Sequence, residues 1–135
     1  MGRIGLILLD THVVLWLALE SARVSKKAKS AIEQARVGNE ELAISDISLF
    51  EIASLSRKDR IQLNTGLEAL LSEIESRFVV RPTTSQICAQ AVAFGRDLLR
   101  DPADRVIAAT ALVKGAPLIS ADRALRATEG LSTIW

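Results

Sequence analysis

From Ile4 to Leu9 the chain carries no polar side chain, and the run stops at Asp10. An aliphatic stretch with no alternation suits a strand buried on both faces, as in the interior of a parallel sheet. It is far too short to cross a bilayer. Such a strand needs layers of chain above and below it, and its parallel neighbours can be reached only by long crossovers.

The rest of the sequence supplies those layers. Val13, Leu15, Trp16 and Leu17 favour a short apolar helix. Ala28, Ala31, Ile32 and Ala35 recur at helical spacing, with Ser25 placed as N-cap and Gly38 as the stop. Leu42 to Ser45 reads as a strand, and Leu49, Ile52, Ala53 and Ser56 as the inner face of a helix. Leu67, Leu70, Leu71 and Ile74 mark another helix, Phe78 to Val80 a strand, and Ser85 to Phe94 a helix. Beyond Pro102 the Ala-rich stretch Val106 to Val113 predicts a buried helix ended by Gly115. Pro117 to Ile119 reads as a strand, Ala121 to Arg126 as a short helix, and Ser132 to Trp135 as a last strand. The expected architecture is a three-layer α/β/α domain with a mostly parallel central sheet.

Composition narrows the class. A chain of 135 residues buries roughly two-thirds of its unfolded surface and leaves no room for a second domain, so residues 1–135 are expected to form one. Lys and Arg total 17 against 16 Asp and Glu, which argues against a polybasic arm. With 4% aromatic residues and no Tyr, base-stacking platforms are not expected to be the main recognition device. The one cysteine, Cys88, cannot form an intramolecular disulfide, and a reducing cytoplasm is the simpler setting. Among Ile87, Ala89, Ala91 and Val92 it is expected to pack in the core. Gly2 lacks the Ser or Thr at position 6 that myristoylation wants. Met1 to Leu9 offers no cleavable signal, so the mature protein is expected to be the chain as written.

Acidic residues gather where the sheet should end. Asp10, Asp46 and Asp122 fall at or just past the carboxyl ends of predicted strands, the edge where open parallel sheets bind ligands. Glu51 follows early in a helix, and Asp101 and Asp104 flank the start of the Ala-rich helix. Each has a local alternative. Ser48 and Glu51 have the spacing of a capping box, Asp101 suits an N-cap before Pro102, Asp104 favours the helix dipole, and Asp10 and Asp122 can cap their helices. Capping needs one acceptor per helix, however, and here at least four acids from separated segments aim at one edge.

Two carboxylates 4 Å apart repel by about 4 kcal/mol at an effective dielectric of 20, so the cluster calls for a cation. Oxygen ligands with a single His and no companion Cys favour Mg²⁺ or Mn²⁺ over zinc. Such sites serve phosphate chemistry by orienting and acidifying water and neutralising phosphoryl charge. No Walker-type or Gly-x-Gly-x-x-Gly motif is present, and hydrolysis of a phosphodiester backbone is the expected reaction. His12, two residues from Asp10, is either a base or ligand or a packed turn residue. No Ser/His/Asp arrangement fits.

Four segments resemble a known family. They are Leu9-Asp10-Thr11-His12 with Leu15-Trp16; Ser45 with Ser48-Leu49-Phe50-Glu51-Ile52-Ala53; Asp101-Pro102-Ala103-Asp104-Arg105-Val106-Ile107-Ala108-Ala109-Thr110-Ala111; and Gly115-Ala116-Pro117-Leu118-Ile119-Ser120-Ala121-Asp122-Arg123. In that order they resemble the motifs of PIN-domain ribonucleases, specifically the VapC type of toxin from bacterial toxin–antitoxin pairs. Ile61 to Arg81 carries no family signature. The resemblance implies a Mg²⁺- or Mn²⁺-dependent endoribonuclease, hydrolysing RNA with a metal-activated water, whose acidic quartet is Asp10, Glu51, Asp104 and Asp122, with Asp101 nearby. It implies that Thr11 and Ser120 orient a carboxylate or water, that the protein is a homodimer, and that a cognate antitoxin blocks the site.

An acidic site repels phosphate, so RNA must be held by other residues. Arg57, Lys58 and Arg60, together with Arg100, Arg105 and Arg123, are the candidate contacts; Arg105 has an ion pair with Asp101 as its alternative. Three readings compete. A Mg²⁺-binding receiver-type signalling domain usually shows an adjacent acidic pair and a late Lys, where this chain has Leu9-Asp10 and Ser120-Ala121-Asp122. A phosphatase with Asp10 as nucleophile would want an acid where His12 stands. A catalytically inactive PIN-fold binding module shares every motif.

Overall fold

The computed structural model describes residues 5–58, 66–95 and 99–135. Arg60 and the amino-terminal residues 1–4 lie outside them. Among the described residues, β1 (Leu6–Leu9), β2 (Glu41–Ser45), β3 (Val79–Arg81), β4 (Leu118–Ile119) and β5 (Thr133–Ile134) form one sheet in the order β3-β2-β1-β4-β5. Every pairing is parallel. The helices between them are α1 (Thr11–Leu19), α2 (Lys26–Val37), α3 (Asp46–Lys58), α4 (Leu67–Arg77), α5 (Ser85–Ala93), α6 (Pro102–Lys114) and α7 (Arg123–Arg126).

The unbroken aliphatic run occupies the middle of the sheet. Leu8 is in register with Ala43 on one side and Leu118 on the other. Successive side chains of a strand point to opposite faces, and both faces are covered. Ile7, Leu9, Leu42, Ile44 and Ile119 pack with Val13 and Val14 of α1, Ala28 and Ile32 of α2, Ile52 of α3, and Leu70 and Ile74 of α4. Leu8, Ala43 and Leu118 face Ile107, Ala108 and Ala111 of α6 and Leu125 of α7. The three-layer α/β fold expected from the sequence is the one observed.

The order of the strands creates the site. From β1 the chain winds outward to β2 and β3, then returns to the other side of β1 for β4 and β5. The switch point therefore lies between β1 and β4, and it is at the carboxyl ends beside such a point that open parallel sheets bind ligands. A receiver-type sheet runs 2-1-3-4-5, so the strand order removes that alternative.

Local boundaries follow the caps. Ser25 Oγ accepts from Ala28 N–H at 3.1 Å and starts α2 as expected. Gly115 takes a left-handed φ of 63° to end α6, a conformation that costs glycine little. Asp10 starts α1 at Thr11, earlier than the apolar residues suggested, and a 3₁₀ turn follows at Ser21–Arg23. Cys88 is exposed, which corrects its expected burial. On α5 the inward face is Ile87 and Ala91, four residues apart; Cys88 is rotated about 100° from Ile87. None of the described helices is long and apolar enough to cross a membrane.

Ala108, Ala109 and Ala111 are at most 1% exposed, so α6 lies close to its neighbours with no space for longer side chains. Ala108→Leu is expected to destabilise by about 1–3 kcal/mol through overpacking, read as a lower denaturant midpoint at unchanged m-value.

Candidate metal centre

Asp10 and Ser120 meet across the switch point. Asp10 N–H donates to the Ile119 carbonyl at 3.0 Å, continuing the ladder one residue past the strands. The carboxylate, 3% exposed, accepts from Thr11 N–H through Oδ1 and from the Ser120 hydroxyl through Oδ2, both at 2.8 Å. Each oxygen keeps a further lone pair. Ser120 Oγ also accepts from Asp122 N–H at 3.1 Å, while Asp122 Oδ2 caps α7 at Leu125 N–H, 2.9 Å away. Asp10 and Asp122 thus cap helices and face the crevice at once.

Glu51 arrives from α3. The alternative reading of Ser48 and Glu51 as a capping box does not hold. Helix α3 begins at Asp46, Ser45 Oγ accepts from Ile47 N–H at 3.3 Å, and Ser48 lies inside the first turn with its hydroxyl 2.9 Å from Thr11 Oγ1. Glu51 is left free of capping duty. Its Oε1 is the one buried side-chain polar atom without a hydrogen-bond partner among the described residues. Buried polar atoms are nearly always paired, and one that is not calls for an explanation such as an ion.

Helix α6 brings the remaining acids. Asp101 caps it through Ala103 N–H at 2.8 Å, with Pro102 next, and Asp104 stands in the first turn. Glu51, Asp101 and Asp104 each offer a carboxylate oxygen, and the three oxygens lie within 4.8 Å of one another. Asp101 thus joins this group, where the sequence reading set it beside an Asp10, Glu51, Asp104 and Asp122 quartet. Asp10 and Asp122 stand close enough for their charges to act on Asp104. Asp46 does not take part: its carboxylate accepts the N–H and hydroxyl of Thr83 at 3.0 and 2.5 Å.

Crowding shows in the proton affinities. Burial, then the charges of Asp10, Asp101, Asp122 and Glu51, push the Asp104 carboxyl up to about 8. Burial also raises Glu51; the Thr11 hydroxyl opposes this, while Asp101 and Asp10 add to it. Asp10 is raised by burial against the pull of Ser120 and the Thr11 N–H. An all-carboxylate set with a partnerless buried oxygen suits a hard divalent cation.

The candidate phosphate contacts divide. Arg105 was expected to meet either substrate or Asp101; instead its guanidinium donates to the carbonyls of Leu99, Ala91, Phe94 and Gly95 at 2.5–3.4 Å. Those bonds tie α6 to the end of α5 and use the group as a staple. Arg57 and Lys58 are exposed in the last turn of α3, about 9–10 Å along the axis from Glu51. Arg100 and Arg123 are exposed next to Asp101 and Asp122. His12 is exposed, its ring 5.9 Å from that of Trp16.

Sequence reading missed the Ser48–Thr11 contact. Both residues are fully buried, and the available signal was that Ser48 and Glu51, three residues apart, share a helix face.

A family model for the PIN domain matches residues 7–131. The chain is 40% identical over 120 residues to Ribonuclease VapC22 of Mycobacterium tuberculosis, covering 89% of each. Solved structures share the fold. VapBC2 from Rickettsia felis, bound to a DNA fragment from its promoter, aligns with a TM-score of 0.71 at 16% identity, covering 95% of this chain and 96% of that one. A toxin–antitoxin complex from Klebsiella pneumoniae gives 0.65 at 23% identity over 94% and 96%. VapBC-1 from nontypeable Haemophilus influenzae gives 0.68 at 20% identity over 95% and 96%. With the acidic crevice at its switch point and a family match over nearly its whole length, the chain belongs to the PIN-domain family.

Proposed function

We propose that the protein is a Mg²⁺- or Mn²⁺-dependent endoribonuclease and the toxin of a type II toxin–antitoxin pair, acting in the cytoplasm. The observation that carries this reading is the convergence of Glu51, Asp101 and Asp104 with Glu51 Oε1 lacking a partner. The 40% identical relative named as a ribonuclease supports the reaction class. RNA is the substrate, and a cognate antitoxin and a second copy of the chain are the partners.

The residues divide the work. Glu51, Asp101 and Asp104 hold the cation, with Asp10 and Asp122 completing its surroundings. A divalent cation there supplies Lewis acidity, acidifying water and offsetting charge on the phosphoryl oxygens. Ser120 and the Thr11 N–H fix both oxygens of Asp10, so that carboxylate is oriented before anything binds. Asp104 holds a proton at neutral pH in the metal-free protein and gives it up on loading. Arg57, Lys58, Arg100 and Arg123 are the exposed candidates left among the described residues to meet the RNA backbone, since Arg105 is committed to carbonyls.

Purified protein should cleave RNA with Mn²⁺ or Mg²⁺ and stop in EDTA, and Glu51→Gln should lose at least about 100-fold in rate. Metal-independent cleavage would remove the mechanism. Failure to cut tRNA, rRNA fragments or mRNA, in a protein that binds Mn²⁺, would favour the inactive binding module.

Asp104 also predicts a pH effect in EDTA. Below its ordinary value of 3.8 the carboxyl is protonated in both folded and unfolded chains. Between there and about 8 only the unfolded chain ionises, so stability falls as pH rises through that window. Its partly exposed position screens the penalty to about 1–2 kcal/mol. Asp104→Asn should therefore match the wild type near pH 4 and exceed its Tm by about 3–6 °C near pH 8. Equal Tm values at both pH values would contradict the raised affinity.

A further inference from the structure

Thr11 and Ser48 are each fully buried, and their hydroxyl oxygens stand 2.9 Å apart, linking the start of α1 to the first turn of α3. The pair has two protons, and the shared bond uses one. If Thr11 donated, the Ser48 proton would be stranded, because the contact with Thr11 is the one hydrogen bond Ser48 Oγ makes among the described residues. If Ser48 donates, the Thr11 proton is free to turn toward Glu51, which stands one helical turn beyond Ser48 on the same face of α3 and whose proton affinity the Thr11 hydroxyl lowers. Buried hydroxyls rarely leave a proton unused, so the second orientation satisfies both groups.

We propose that Ser48 is a positioning residue for the metal centre: it donates to Thr11 Oγ1 and thereby directs the Thr11 hydroxyl at Glu51. Glu51 is then steered by a relay running from α3 through α1 and back to α3. So held, Glu51 keeps a carboxylate oxygen within 4.8 Å of one from Asp101 and one from Asp104. Removing such outer partners typically weakens metal binding about 10–100-fold. The inference rests on the metal-centre reading above.

Mn²⁺ affinity, measured calorimetrically on the full chain, tests it in wild type, Ser48→Ala, Thr11→Val and the double variant, with Tm in EDTA reporting folding. Thr11→Val should weaken Mn²⁺ about 10–100-fold and Ser48→Ala about 3–10-fold. Because Ser48 acts through Thr11, the double variant should bind as Thr11→Val does. Ser48→Cys, nearly isosteric with a weak donor, carries the same expectation if the alanine variant does not fold. An unchanged Mn²⁺ affinity in folded Ser48→Ala, or a Ser48 effect that persists in full beside Thr11→Val, would overturn the relay while leaving the metal centre standing. A wild type that takes up no Mn²⁺ would overturn both.

Discussion

The backbone ladder joining β1 to the segment around β4 includes Leu8 N–H to the Pro117 carbonyl and Asp10 N–H to the Ile119 carbonyl, each 3.0 Å long. They bring together residues more than a hundred positions apart and set the register in which Ser120 reaches Asp10. A slip of one residue would turn Leu118 and Ile119 to the wrong layers and carry Ser120 off its carboxylate. The apolar cores on the two faces therefore do more than stabilise the sheet. They fix the spacing of the polar residues that follow each strand.

The site works against the stability that the cores provide. Five carboxylates share one edge, and burial plus mutual repulsion keep a proton on Asp104 near neutral pH. The caps offset part of this. Asp10, Asp101 and Asp122 each accept a backbone N–H at a helix start, where the helix dipole also favours negative charge. Using the same carboxylates for capping and for the crevice explains how so many acids can be concentrated without loosening the elements that hold them. Glu51 and Asp104 have no such role and bind protons more tightly than usual, as does Asp10, where burial outweighs the cap.

Most elements could be read from the sequence because burial on two faces leaves a strong pattern. The run before Asp10 had to be an interior strand, and the alanines of α6 had to face other chain. The candidate acids were legible for a related reason: their positions after strands and at helix starts follow from chain order. What failed was rotation and reach. Cys88 sits one position off the buried face of α5, which composition around it conceals. Ser48 and Glu51 match a capping pattern, but α3 starts three residues earlier than that pattern requires. Arg105 extends to carbonyls on α5 and the segment after it, a tertiary contact that no local spacing encodes.

The aromatic corner behind the site has a practical side. The chain has two tryptophans and no tyrosine, and both indoles lie together: Trp16 and Trp135 are 5.8 Å apart, with Arg23 over the Trp16 ring at 4.4 Å and the imidazole of His12 on its flank. Ultraviolet emission from this molecule thus originates at a single spot beside α1. It reports the opening of that corner, while the remote end of α6 can loosen in optical silence.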